Sequence, residues 1–288
     1  MSSVPVTFLH EFDSLNDRFR PLIMREFAAN GAKYLVLTDT LIKQILSKVS
    51  LERQLMKEMA AEGLEFMDAH APFGPYLDLN CPIPEARPEM LLRHKLTLQI
   101  IASMGVKTIT IHTGNDVAYP EYPLEVQFDA IKRSLDELLP VAESLGITIC
   151  IENIWFKINT PERLLAVKEC FPTDALGFCY DAGHANLMDK GRNFPDSNPF
   201  KAWGEDTPAW DDAILEKMLP HVVNCHLHDN NGVCDQHYNI GRGTINWQHI
   251  IPLLKKAPRL QVVQSEVLMG QPCAVRELCE TFNALWGK

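Results

Sequence analysis

The sequence predicts one α/β domain over residues 1–288, a closed (β/α)8 TIM barrel. Three observations predict it: eight short apolar, β-branched runs, eight helix-period segments between and after them, and several runs that end in a carboxylate or an imidazole. Strict alternation implies parallel strands joined by right-handed crossovers, and eight units without a remainder imply closure. An open doubly wound sheet would want a glycine-rich phosphate turn after its first strand, and FLHEFDS contains no glycine.

Taken in order, the first strand is VPVTFL (4–9), followed by a helix over 16–30 that stops at Gly31. The second strand is YLVLT (34–38), with helix-period residues 41–62 ending at Gly63. LEFMDAH (64–70) is the third strand, and its helix over 88–104 stops at Gly105. TITIHT (108–113) precedes a helix over 122–145 that stops at Gly146, and ITICIEN (147–153) is the fifth strand. The next helix, 161–170, opens with Thr160 as N-cap and Pro161 at the first helical position. ALGFCYDAGH (175–184), a helix over 210–219, VVNCHLHD (222–229), a helix over 247–256, QVVQSEV (261–267) and a helix over 272–285 complete the set. Apolar spacing at i, i+3, i+4 places each helix, and glycine beyond the last periodic residue ends it. Two connections are long, 70–88 and 187–210. Both follow strands, so both are expected over the C-terminal mouth, either as lids or as surface loops with a local aromatic plug.

Composition bounds the partners. At 288 residues and 46% hydrophobic content the chain can bury one large core. A net charge of −10 and a pI near 5.5 disfavour a surface that neutralises a phosphate backbone, so a small molecule is expected rather than nucleic acid. No stretch approaches the roughly 20 apolar residues that span a bilayer, and MSSVPVTFLH lacks a charged leader, so a cytoplasmic protein without a membrane partner is expected. The eight cysteines show no CxxC spacing. Cys150, Cys179 and Cys225 fall inside strand runs, where a reduced thiol behaves as a small apolar group. Barrels of this kind commonly associate, so a homo-oligomer is compatible with the chain, although no interface is legible.

The strand ends carry the chemistry. ITICIEN closes on Glu152, LGFCYDAGH reaches Asp181, VVNCHLHD reaches His226 and His228, and VVQSEV reaches Glu266. Buried parallel strands point alternate side chains inward, so their last residues can turn to a common centre. An unpaired buried carboxylate is costly, and one divalent ion would satisfy all of these groups together. Carboxylate and imidazole donors without thiolate admit Mn2+, Mg2+, Co2+ or Zn2+. His226 and His228 sit two apart on one strand, and period-two geometry does not rank them as ligands. Asp181 and His184 are three apart where strand becomes loop, which suits a ligand and a substrate hydrogen-bond donor, or a ligand and a cap. DQHYNIGRGTINW supplies Asp235, His237 and Arg242, with Gly241 and Gly243 serving either close approach to a ligand or an ordinary turn. His70 and His112 end the third and fourth strands, and either is a ligand, a substrate contact or a satisfied polar residue. Trp155, Phe156 and Trp203 fall in mouth loops, as an apolar wall or as local packing.

Together the segments HAPF, IHTG, IEN, YDAGH, HLHDNNG, DQHYNIGRGTINW and SEV resemble the sugar phosphate isomerase/epimerase families of the xylose-isomerase-like TIM barrel superfamily, from about the third strand to the eighth. The resemblance implies a divalent ion held by Glu152, Asp181, His226 or His228, and Glu266. In the ketose 3-epimerases of this superfamily two metal-binding glutamates also move protons on the two substrate faces; carried over, these are Glu152 and Glu266. The implied substrate contacts are His184 and the loop of His237 and Arg242; His70, His112 and Trp155 join them as candidates from their places at the mouth, with Asp235 a further candidate ligand. The implied activity is sugar isomerisation or epimerisation by proton transfer through an enediolate. This chain has DQHYNIG where those epimerases carry an arginine-rich loop, so their particular substrate is not implied. The superfamily also includes the endonuclease that cuts DNA at abasic sites with three zinc ions. Its nine-ligand pattern can be laid on His70, His112, Glu152, Asp181, His184, His226, Asp235, His237 and Glu266. A catalytically silent sugar-binding barrel is a third alternative, against which the two intact glutamates argue.

Overall fold

The computed structural model describes residues 4–12, 17–189, 194–268 and 274–287. Eight parallel strands close in chain order, with β8 returning to β1. The first half runs β1 (Val6–Phe8), α1 (Arg20–Ala29), β2 (Tyr34–Leu37), α2 (Asp39–Ser47), α3 (Ser50–Ala61), β3 (Glu65–His70), α4 (Arg87–Ser103), β4 (Thr108–Ile111) and α5 (Leu124–Leu145). The second runs β5 (Thr148–Glu152), α6 (Pro161–Cys170), β6 (Leu176–Asp181), α7 (Ala182–Leu187), α8 (Asn198–Trp203), α9 (Ile214–Met218), β7 (Val222–Leu227), α10 (Trp247–Leu254), β8 (Val262–Ser265) and α11 (Val275–Trp286). Among the described residues no helix is long and apolar enough to cross a membrane.

The predicted boundaries hold where local chemistry is strong. Gly146 ends α5 in the left-handed region at φ 66°, and Gly31, Gly63 and Gly105 also take positive φ at the expected stops. Pro161 opens α6, although the Thr160 side chain makes no capping hydrogen bond. They fail where the apolar stripe changes phase. The expected helix over 41–62 is two helices, because buried Leu41, Ile42 and Ile45 of α2 are separated from buried Leu51 of α3 by a step that 3.6 residues per turn does not reach. The sixth strand stops at Asp181 rather than 184, because the Asp181 carboxylate accepts from the His184 amide at 2.6 Å and starts α7. The helix expected over 210–219 shrinks to α9, since the Asp211 carboxylate accepts from the Ala213 amide at 2.9 Å and holds the preceding residues in a turn. Helix α8 lies in a connection read from sequence as a loop. Residue 16 and residues 272–273 of the expected first and last helices lie outside the described residues.

One side of each strand supplies apolar residues to the layer beneath the helices, including Leu35, Ile109, Ile149, Phe178 and Val263, all fully buried. The other side points into the barrel and becomes polar toward the C-terminal mouth. Register sets Glu152 beside Cys179, Asp181 beside His226, and His226 beside Gln264. The apolar face holds the barrel together while the inner face is free to carry the site.

Candidate metal centre

Glu152 ends β5, Asp181 ends β6, His226 lies within β7, and Glu266 follows β8. Their donor atoms all fall within 4.8 Å of one another. His226 Nδ1 is 2.9 Å from Glu152 Oε1, 3.2 Å from Glu266 Oε2 and 3.8 Å from Asp181 Oδ2. Three further donor groups adjoin this one: His70, His112 and Glu152 on one side, His184, His228, Asp235 and His237 on the other, and Glu152 and His226 with the Cys179 thiol, a donor type the sequence reading left out. His112 Nε2 reaches Glu152 Oε2 at 3.1 Å, so Glu152 belongs to both the first and the central groups. His228 Nε2 reaches Asp181 Oδ2 at 3.1 Å, which joins the outer group to the central one. All nine residues of the longer pattern therefore meet in one cluster, and the donors exceed what a single ion can use.

Ring orientation tests whether these residues fit metal ions. His70 Nδ1 lies 2.9 Å from the Ala71 carbonyl, His184 Nδ1 3.0 Å from that of Asn153, and His237 Nδ1 2.8 Å from that of Glu266. A carbonyl only accepts, so in each ring Nδ1 carries hydrogen and Nε2 turns to the cluster. Fixing one ring nitrogen on a carbonyl so that the other is aimed is the arrangement found around metal-bound histidine. In the outer group Asp235 Oδ1 and His228 Nδ1 are buried without a hydrogen-bond partner, although buried polar atoms are normally satisfied. The residues fit divalent cations on both counts.

Electrostatics agree. Burial would raise the Glu152 carboxyl, yet the His226 charge and hydrogen bonds from His112 and His226 hold it well below the usual carboxylate range. Glu266 behaves alike, burial being outweighed by the charge and hydrogen bond of His226. Burial opposes protonation of His237, but the Asp235 carboxylate raises its pKa to about 9. Burial also opposes charge on His184 and His226, and nearby acids raise both well above the ordinary imidazole value. His70 moves the other way, down to about 4, through burial and the neighbouring His112. Without a cation, imidazolium protons neutralise the carboxylates.

The cluster forms one wall of a cavity of about 470 Å³. Trp155 and Phe156 line it, with Trp155 edge-on to His184 at 4.9 Å between centroids. Phe73, Gly74, Pro75 and Asp78 from the 70–88 connection cover it, together with Thr38, Asp39 and Thr40 after β2. Trp203 packs behind this wall, donating Nε1–H to the Trp155 carbonyl at 2.8 Å. Arg242 is not brought to the site: its guanidinium is half-exposed and bound to Glu277 at 2.7 Å. Gly241 and Gly243 also serve something other than a ligand. The Asp229 carboxylate accepts from the Gly241 and Ile245 amides and from Trp247 Nε1, and a Cβ at Gly243 would come within 2.2 Å of Asp229 Oδ1 and of the Asn230 carbonyl. HLHDNNG and GRGTINW are thus two halves of one knot around Asp229, whose backbone also pairs with Tyr238, the residue after His237. Sequence reading missed the polar layer beneath the cluster, Asp68, Thr108, Thr110 and Asn224. Its signal was available in part: Asp68, Thr110 and Asn224 stand two positions before His70, His112 and His226, and Thr108 two before Thr110.

The sequence profile of the xylose isomerase-like TIM barrel family matches residues 25–263, and the chain belongs to that family. An uncharacterized protein of Methanocaldococcus jannaschii is 28% identical over 198 residues, 65% of this chain and 59% of that protein. The chain spans about three fifths of the length of the first curated relatives it matches. A crystal structure of a D-tagatose 3-epimerase-like protein superposes with a TM-score of 0.72 at 21% identity, covering 97% of this chain and 96% of that one. A Thermus thermophilus protein soaked with zinc chloride is 25% identical, with a TM-score of 0.64 and coverage of 99% and 98%.

Proposed function

We propose that the protein is a divalent-metal-dependent sugar isomerase or epimerase that moves a substrate proton through an enediolate. The observation that carries this reading is the approach of two carboxylates, Glu152 from β5 and Glu266 after β8, to the same nitrogen of His226 at 2.9 and 3.2 Å in the wall of the cavity. Glu152, Asp181, His226 Nδ1 and Glu266 would hold the central ion. When bound, that ion would supply Lewis-acid stabilisation of adjacent carbonyl and hydroxyl oxygens. One glutamate removes the proton next to the carbonyl, and the other returns it on the opposite face. Trp155 and Phe156 offer the apolar face of a sugar a flat wall, and His184 stands beside Trp155 to meet a hydroxyl. The fold likeness to a D-tagatose 3-epimerase-like protein is in keeping with this chemistry.

The test is hydrogen exchange next to the carbonyl in deuterated water, with metal-loaded protein and a panel of ketoses and aldoses. Exchange with at least one sugar is expected, and Glu152→Gln and Glu266→Gln should each lower it by ~10²–10⁴-fold, the usual scale for a lost acid or base. No exchange across the panel would count against the proposal.

A second reading, metal-assisted cleavage of a phosphodiester at an abasic DNA site, is favoured by one observation: several donor groups adjoin, and three of them share Glu152. Clustered ions clamp both the attacking and the leaving oxygen in such reactions. Against it, the cavity lining adds Glu11, Asp39 and Asp78 to the cluster's own acids, and the chain's net charge is −10. Incubation with an abasic oligonucleotide separates the readings: strand cleavage by the zinc-loaded protein would favour the second.

A further inference from the structure

Beneath the carboxylates, β3, β4 and β7 carry a buried polar layer that the chemistry above does not use. The Asp68 carboxylate accepts from Thr108 Oγ1 at 2.6 Å and from Asn224 Nδ2 at 2.8 Å. A carboxylate only accepts, so the Asn224 amide must present its NH2 group there. The same nitrogen lies 3.2 Å from Thr110 Oγ1, which receives its other hydrogen. Thr110 Oγ1 in turn lies 3.2 Å from His226 Nε2, the ring nitrogen that faces away from Glu152 and Glu266.

We infer that Thr110, oriented by Asn224 and Asp68, is a positioning residue that accepts the Nε2–H of His226 and so reserves Nδ1 for the central cation. The inference rests on the metal reading above. An imidazole that donates from one nitrogen to a fixed acceptor keeps its lone pair on the other. His70, His184 and His237 achieve this with backbone carbonyls and present Nε2. His226 sits within β7, where backbone carbonyls are engaged in strand pairing, so its acceptor has to be a side chain, and its ring is turned the other way round. Asn224 donates to one lone pair of Thr110 Oγ1, and the other lone pair remains to accept the Nε2–H that a neutral His226 must carry once a cation holds Nδ1. The Thr110 hydroxyl hydrogen can rotate away from the His226 ring, which leaves that lone pair free. Cys179 also touches the His226 ring, but a thiol sulfur is a weak acceptor and leaves Thr110 as the stronger partner.

Thr110→Val keeps the shape and removes the acceptor, and Thr110→Ser restores it. Zinc affinity by chelator competition and long-range proton–nitrogen spectra of the histidines are the two readouts. Thr110→Val is expected to bind the His226-dependent ion about 10–100-fold more weakly, and Thr110→Ser within about threefold of the parent, the scale on which outer partners of ligand histidines act. Zinc-loaded parent protein should show His226 protonated at Nε2 with Nδ1 on the metal, and Thr110→Val should lose the protection of that hydrogen. Matching unfolding temperatures of the metal-free variants control for folding. If Thr110→Val does not fold, Asn224→Leu, which leaves Thr110 in place but unoriented, should weaken zinc in the same direction. Unchanged affinity with an unchanged Nε2–H in Thr110→Val, or zinc on Nε2 in the parent, overturns the inference while leaving the metal reading intact. Parent protein that takes up no zinc overturns both.

Discussion

His237 and Asp235 show how single residues set the behaviour of the centre. The Asp235 carboxylate, 2.9 Å from His237 Nε2, raises that imidazole to about 9 against the cost of its burial. A raised imidazole stabilises the metal-free fold fully below about 6.5, its ordinary value, and that contribution is lost as pH rises through about 9. Glu152 and Glu266 act in the opposite sense, because their depressed pKa values add stability above the ordinary carboxylate range that is lost as pH falls. Metal-free protein should therefore lose thermal stability from about pH 6.5 to pH 9, as calorimetry would record. Zinc affinity should rise over the same interval, since each imidazolium proton must leave before its nitrogen can bind, and calorimetry in buffers of different ionisation heat would count those protons. A flat affinity profile would mean that the imidazoles are not ligands. Arg242 marks the limit of residue-level reading, because a motif implied it as a substrate contact and the fold pairs it outward with Glu277.

At the scale of elements, α7 packs closely against the outer donor group. Gly183 lies in its first turn, and a Cβ there would come within 2.0 Å of His228 Cε1. Gly183→Ala should push His228 off Asp181 and lower the number of zinc ions retained after dialysis, while far-ultraviolet circular dichroism stays that of the barrel. Full zinc retention would show that His228 is not a ligand. The strands were legible because a buried β-branched run has one simple reading, and so were their functional ends, because a charged residue closing such a run needs a partner from elsewhere. Helix α8 was not, being short and set within a long connection, and the break between α2 and α3 shows only as a change of phase in an otherwise continuous apolar stripe. The roles of Gly241 and Gly243 were open in sequence between ligand and turn, and contacts with Asp229 decide for the turn.

The whole molecule concentrates its unfavourable burial in one place. Glu152, Asp181, Asp235 and Glu266 converge at the mouth of a barrel whose outer face is largely apolar, so a cation that binds only the folded state should stabilise the entire chain. Zinc at a hundredfold excess over its Kd should add about 2.7 kcal/mol and raise the midpoint of thermal unfolding by several degrees. The number of ions was the part of the site least open to sequence, because a donor shared between groups, as Glu152 is, looks like a single ligand in one dimension. Anomalous scattering from zinc-loaded crystals tests the metal centre most directly. A peak coordinated by Glu152, Asp181, Glu266 and Nδ1 of His226, with further peaks in the flanking groups, is the predicted result. Saturating zinc that leaves those carboxylates paired only with imidazoles, and no peak among them, would contradict it.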